Sequence, residues 1–219
     1  MEKRLIRSFG RIKTRKLSAN KEALLSNLLP KYEIKQLDND FVNKFSNIHL
    51  EIGFGFGDFL FEMARRNPDI GFIGSETHIN GIVNLLTKLE KEPLDNIRIF
   101  KSDVRLFLEE IKERVFNKIY ILFPDPWPKV KHHKRRLIDE SFIQILSEKM
   151  TSNSELVIAT DHDSYKRWIL FKTFKTGLFK WHVKSKSDWQ NFPDDWIYTK
   201  YQKKAEKEGR KSMLLRYKW

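Results

Sequence analysis

The sequence predicts an α/β fold: a doubly wound, mostly parallel sheet with helices on both faces. Three observations predict it. Short apolar runs of strand length recur from Ile48 onward, separated by longer stretches with helical spacing. The first, fourth and fifth runs are nearly all apolar on at least one side, as strands of a covered parallel sheet are. A glycine-rich turn, GFGFG, follows the first run directly, where a doubly wound sheet places its ligand-binding loop.

The expected strands are IHLEI (Ile48–Ile52), FIGS (Phe72–Ser75), IRIF (Ile97–Phe100), KIYILF (Lys118–Phe123) and ELVIAT (Glu155–Thr160). Helical spacing covers Asp58–Arg66, Ile79–Lys91, Arg105–Arg114, Leu137–Lys149 and Ser164–Thr176. Phe179–Ser185 and Ser212–Tyr217 are expected to close the sheet as a terminal antiparallel pair. Upstream, Asn20–Leu29 reads as a short helix, with Asn20 as its N-cap and Pro30 as its end. Met1 to about Ala19 is basic with scattered apolar residues and reads as a mobile arm. Residues 1–45 are thus expected to form an arm with a short helix, and residues 46–219 one α/β domain.

Composition narrows the function. Of 219 residues, 42 are Lys or Arg and 29 Asp or Glu, a net charge of +13, so anionic partners are expected, nucleic acid first. The 17 Phe and 40% hydrophobic content suffice for a substantial core and argue against global disorder. Without cysteine, disulfides, thiolate metal sites and cysteine nucleophiles are excluded. His78, His132, His133, His162 and His182 lack convincing ligand spacing, so no metal is expected. No signal peptide or membrane span is apparent, which makes a soluble cytoplasmic protein the expectation.

The densest motif is FPDPWPKVKHHKRR, Phe123 to Arg136. Pro124, Pro126 and Pro128 fix their own φ and bias the residue before each toward extended geometry. They hold Asp125 and Trp127 on a stiff strut, which a run of Lys, Arg and His follows at once. An acid, an aromatic plate and a cationic surface suit the placement of a polyanion beside a reactive centre.

The glycine turn reads E-x-G-x-G-x-G, with Glu51, Gly53, Gly55 and Gly57. The dinucleotide fingerprint G-x-G-x-x-G needs its third glycine at position 58, where this chain has Asp58. An acid at a helix start disfavours a phosphate. The spacing therefore favours S-adenosyl-L-methionine, which carries no pyrophosphate, over NAD(P). Glu76 after the second strand suits the ribose hydroxyls. Asp103 after the third suits the adenine amine, or caps the following helix. Asp125 after the fourth faces the reacting end of the cofactor. Asp161, in TDHDSY after the fifth, either caps a helix or accepts from a guanine's N1 and N2 donors. Trp181, Trp189, Trp196 and Trp219 read as packing residues.

Together these residues resemble the bacterial tRNA (guanine-N7-)-methyltransferase family from about Ile48 to Trp219. LEIGFGFGDF, Glu76 in GSETH, the PDPWPK-x-x-H-x-KRR element, ATD at Ala159–Asp161 and a terminal T-K-Y motif fall in the family's order. The resemblance implies a Rossmann-like class I methyltransferase that takes S-adenosyl-L-methionine and methylates a guanosine in the tRNA variable loop. It implies cofactor contacts at Glu51, Gly53, Gly55, Gly57, Glu76, Asp103 and Asp125, with Asp125 also catalytic. It implies substrate contacts at Lys129, Asp161, Thr199, Lys200, Tyr201 and Gln202. Gln202 departs from the family, which has glutamate there. The expected partner is tRNA, with neither membrane nor metal, and the chain as monomer or homodimer. The rival readings are a methyltransferase for another acceptor and an RNA-binding scaffold without catalysis.

Overall fold

The structure, a computed structural model, describes residues 17–219. The basic arm expected from Met1 lies outside the described residues as far as Lys16. The parallel part of the sheet consists of β1 (Asn47–Ile52), β2 (Ile70–Ser75), β3 (Ile97–Phe100), β4 (Phe116–Leu122) and β5 (Met150–Thr160). Two later strands, β6 (Lys180–Trp181) and β7 (Met213–Lys218), complete a seven-stranded sheet of order β3-β2-β1-β4-β5-β7-β6. The neighbours from β3 to β5 pair in parallel; β7 runs antiparallel to β5 and to β6.

The helices before the first crossover are α1 (Ala19–Ala23), α2 (Leu29–Tyr32) and α3 (Asn39–Val42), with a π turn at Leu24–Leu28 joining the first two. Pro30 does not end this helical stretch. It sits in the first turn of α2, where its missing N–H leaves no intrahelical bond unmade. Asn20 lies inside α1, and Ser18 takes the N-cap position. Leu24, Leu29, Tyr32 and Phe41 are buried, so this stretch packs as part of the body rather than as an appendage.

The crossovers are α4 (Asp58–Arg66), α5 (Ile79–Lys91), α6 (Val104–Glu110) and α7 (Glu140–Lys149), and α8 (Asp163–Thr176) follows β5. Two further helices, α9 (Ser187–Gln190) and α10 (Lys200–Lys207), precede β7. One face of the sheet is covered by Leu60, Ile82, Leu85 and Leu86 of α4 and α5, packed with Phe72, Ile97 and Ile99. The opposite face buries Phe107, Phe142, Ile143 and Ile169 of α6, α7 and α8 against Leu50, Ile119, Leu156 and Ile158.

This two-sided arrangement follows from right-handed crossovers. The chain moves one way from β1 to β3 and the other way from β4 to β5, which puts the two sets of helices on opposite faces. The order reverses between β1 and β4, so a crevice opens at their carboxyl ends. The glycine turn after β1 and the proline strut after β4 both end there.

Candidate active site

The glycine turn is fixed from three directions. Gly53 N–H donates to Ser75 O at 2.8 Å, which docks the turn on the end of β2. Glu76 then gathers the loops. Its Oε2 accepts from Gly55 N at 2.8 Å, and its Oε1 accepts from Thr77 N at 2.7 Å and His78 N at 2.8 Å. Gly81 of α5 presses on the turn so closely that a Cβ there would lie 2.1 Å from Gly55 O. Gly53 has φ +70, and a Cβ on it would meet nothing within 4 Å. Left-handed backbone facing open space leaves room for a ligand to approach the main chain.

Glu51, two residues earlier, is buried with 3% exposure, and its Oε2 has no hydrogen-bond partner. Burial, reinforced by Glu76 and Asp58, pushes its carboxyl up to about 8. A buried, orphaned carboxylate oxygen beside an open glycine is a ready acceptor for a cationic ammonium group. Glu51 and Gly53 line a narrow pocket together with Phe56, Phe59, Leu122, the α10 N-cap Thr199, and Lys200 and Tyr201 of α10. The amino-acid end of S-adenosyl-L-methionine fits this donor and acceptor set: Glu51 Oε2 would accept from its ammonium, and the open backbone at Gly53 leaves room for it.

The T-K-Y motif roofs the cleft. Thr199 Oγ1 accepts from Gln202 N at 3.1 Å, capping α10 at its start. Lys200 Nζ stands 4.1 Å from the centroid of the Phe56 ring. Tyr201 lies over Gly55, its Cε2 3.0 Å from where a Cβ would be. Burial first, then the Glu76 and Asp125 charges, push the Tyr201 hydroxyl above its ordinary value. Both carboxylates thus lie within electrostatic reach of that hydroxyl. Gln202 points inward. It is fully buried, and its Oε1 accepts from Trp196 Nε1 at 2.9 Å, so this conformation leaves it no direct substrate contact.

The strut departs from the extended geometry expected before its prolines: the residues ahead of Pro124 and Pro128 are left-handed, which kinks the segment at both ends. Phe123 has φ 54 and Trp127 φ 42, left-handed values that cost about 1–3 kcal/mol each in non-glycine residues. Asp125 between them is open to solvent through the cleft mouth, yet desolvation by its walls raises its pKa. The basic run, expected as a cationic surface, forms a 3-10 helix over Val130–Arg135 that folds back on Trp127. The Arg135 guanidinium lies 4.9 Å from the Trp127 ring and His132 meets that ring edge-on. Lys129, Lys131 and Lys134 are exposed, and Lys129 stands at the N-cap of this turn.

Two carboxylates are already engaged. Asp103 caps α6 by accepting from Arg105 N at 3.0 Å, and the Arg105 side chain grips it as well, Nη2 to Oδ2 at 2.7 Å. Asp161 accepts from Arg210 Nε at 2.6 Å, and Arg210 also pairs with Glu208. The pocket thus gathers Glu51, Gly53 and the T-K-Y roof, with Glu76 bonded to Gly55 beside it, while Gly57 packs on Leu85 of α5 and Asp125 stands on the strut within electrostatic reach of Tyr201. Asp103 and Asp161 sit at the carboxyl ends of β3 and β5, each paired with an arginine. Sequence reasoning missed Phe56 and Arg210. An aromatic residue inside a glycine turn is a usable signal for the first; nothing local marks the second. Among the described residues no group of three or more His, Asp or Glu is placed to hold a metal ion. No helix among them is long and apolar enough to cross a membrane.

Known proteins with these features fall in one class. A family profile described as "Putative methyltransferase" matches residues 46–215. A tRNA (guanine-N(7)-)-methyltransferase of Neorickettsia sennetsu is 43% identical over 168 residues, which cover 77% of this chain and 75% of that one. A second, of Zymomonas mobilis, is 33% identical over 216 residues, covering 97% and 94%. The chain belongs to the tRNA (guanine-N(7)-)-methyltransferase family. Solved structures agree on the fold of this family member. The 16S rRNA methyltransferase KamB superposes with a TM-score of 0.58 at 11% identity, over 82% of this chain and 91% of that one. An antibiotic-related methyltransferase gives 0.57 at 15% identity, over 95% and 96%. The sheet is that of a class I methyltransferase.

Proposed function

We propose that the chain transfers a methyl group from S-adenosyl-L-methionine to N7 of a guanosine in the variable loop of tRNA, giving 7-methylguanosine. The observation that best supports this reading is a pocket lined by Glu51 and Tyr201, with the Glu76 and Asp125 charges within reach of Tyr201 and an exposed basic turn after the strut, in a member of this family. When bound, S-adenosyl-L-methionine supplies an electrophilic methyl group on a sulfonium. Glu51 would hold its ammonium and Glu76 its ribose hydroxyls. Asp103 is assigned to its base.

Guanine N7 already presents an in-plane lone pair, so no strong base is needed to expose the nucleophile. The protein's part is alignment and electrostatics. The purine becomes cationic as the bond forms. Asp125, partly desolvated at the cleft mouth, stabilises that developing charge and orients the base. Asp161 takes the guanine's donor edge by exchanging its Arg210 partner for the base. Lys129 and the exposed lysines of the 3-10 turn hold the phosphate backbone, which makes affinity fall with salt. Such an enzyme works in the cytoplasm, where tRNA is.

The test uses the purified chain, an unmodified tRNA transcript and radiolabelled S-adenosyl-L-methionine, with borohydride–aniline scission to locate the label. Scission at one variable-loop guanosine is expected. Label elsewhere overturns the site, and absence of label with tRNA overturns the acceptor.

A further inference from the structure

We infer that Arg136 is a positioning residue for methyl transfer: it clamps the Phe123–Trp127 strut so that Asp125 faces the cleft, an inference that rests on the function proposed above. In the sequence Arg136 closes the basic run and reads as one more cation for the tRNA backbone. The structure separates it from its neighbours. Lys129, Lys131 and Lys134 are exposed, whereas Arg136 is 4% exposed and unavailable to a phosphate.

Its guanidinium joins three segments. Nε donates to Pro126 O at 2.9 Å, on the strut itself. Nη2 donates to Ser164 Oγ at 3.1 Å, in the first turn of α8. The group lies 5.0 Å from the Tyr165 ring centroid and 4.9 Å from that of Trp168, both on α8. Those two residues also hold the segment just after Arg136. Ile138 N donates to the Tyr165 hydroxyl at 3.4 Å, and Trp168 Nε1 donates to Ile138 O at 2.6 Å. Arg136 has no ion pair among the described residues. A guanidinium removed from water is costly without a carboxylate, and here the aromatic faces and a carbonyl compensate.

The strut needs such a clamp. Pro124, Pro126 and Pro128 have no N–H to donate, so few backbone bonds tie this segment. Phe123 N donates to Ala159 O at 2.8 Å, before Asp125. The Arg136 bond to Pro126 O fixes the chain just after it. Asp125 is thereby bracketed between two anchors, within a stretch whose flanking residues hold left-handed φ. Lysine has neither the planar fork nor the stacking face to replace this contact.

The full-length chain is compared with Arg136→Lys and Arg136→Met. The readouts are single-turnover methylation of tRNA, KM for tRNA across a salt series, and hydrogen–deuterium exchange over residues 123–136. Arg136→Lys is expected to lower the turnover rate about 10- to 100-fold, as a small misplacement of a reacting group does. The tRNA KM and its salt slope are expected to stay within about twofold, since no phosphate contact is lost. Exchange at the Phe123 amide, bonded to Ala159 O, is expected to quicken while β1 to β3 keep wild-type protection. A raised tRNA KM with a shallower salt slope and unchanged turnover overturns the inference in favour of a phosphate contact. Wild-type turnover and exchange in both variants overturn it outright. If the wild-type chain does not methylate tRNA, the proposed function fails, and the exchange data still decide the clamp: unchanged protection at Phe123 refutes it. If Arg136→Met does not fold, Arg136→Lys alone decides.

Discussion

The two halves of the cleft hold their carboxylates in different ways. On the β1–β2 side, Glu76 accepts three backbone N–H groups from residues within its own loops, and Glu51 is buried behind them. On the β4–β5 side, anchoring comes from arginine side chains far along the chain: Arg210 on Asp161 and Arg136 on the Asp125 strut. Backbone amides do not swing, so the first half is preformed for one invariant molecule. Guanidinium groups on long side chains can exchange partners, so Asp161 is suited to meeting and releasing a large polyanion. On the proposed function, the cofactor side is a socket and the acceptor side a clasp.

The largest expected break in this comparison is Asp125→Ala. It removes the carboxylate facing the developing purine charge, and turnover is expected to fall by about 10²–10³, the scale for losing a preorganised electrostatic contact. Stopped single-turnover assays check it, alongside filter-binding with tRNA, where affinity is expected to change less than about threefold. Equal losses in both would remove Asp125 from catalysis.

The socket breaks through packing instead. Gly81→Ala places a methyl group against Gly55 O, a backbone atom that cannot step aside. Overpacking of this kind costs about 1–3 kcal/mol. Thermal unfolding is expected to show a lower Tm, with cofactor affinity falling in step. Gly177→Ala, where nothing lies within 4 Å of the added group, carries only the cost of its φ of +64 and should leave cofactor affinity alone.

The smallest expected effect sharpens the role of Glu51. Its carboxyl is raised from 4.5 to about 8 in the fold, chiefly by burial. The folded state keeps the proton over that window while the unfolded chain has lost it. Stability is therefore full below about pH 4.5, falls as pH rises toward about 8, and levels above. Glu51→Gln is expected to flatten the fall, so that Tm near pH 8.5 exceeds wild type by a few degrees, at about 2–4 °C per kcal/mol. Calorimetric scans of the free chain across pH 5–9 check it. A wild-type Tm that rises through this window would contradict the buried, neutral carboxyl.

The same contrast explains what the sequence discloses. The five parallel strands are legible because burial on both faces leaves unbroken apolar runs such as KIYILF. The glycine turn is legible because the needed conformations are local. β5 starts at Met150, earlier than its apolar run, because Met150 pairs with Phe116 ahead of a register irregularity at Asn153, φ 61, and regular pairing resumes only at Glu155. The expected strand Phe179–Ser185 shrinks to Lys180–Trp181, both exposed at the sheet edge. In the site, Glu51 announces itself at the end of a strand that runs into a glycine turn, and Glu76 by its position just after a strand. The pairing of Asp161 with Arg210 spans 49 residues and leaves no periodic trace. Arg136 is hidden among exposed cations, and only its burial sets it apart.

The division between socket and clasp is tested most directly by titrating S-adenosylhomocysteine calorimetrically into Glu76→Gln and Asp161→Asn, with single-turnover methylation of tRNA measured on the same preparations. Glu76→Gln is expected to weaken the nucleoside at least about tenfold, the loss of one charged hydrogen-bond acceptor. Asp161→Asn is expected to bind it as wild type does while methylating tRNA more slowly. Equal weakening of the nucleoside in both variants would contradict the division, as would wild-type affinity in Glu76→Gln.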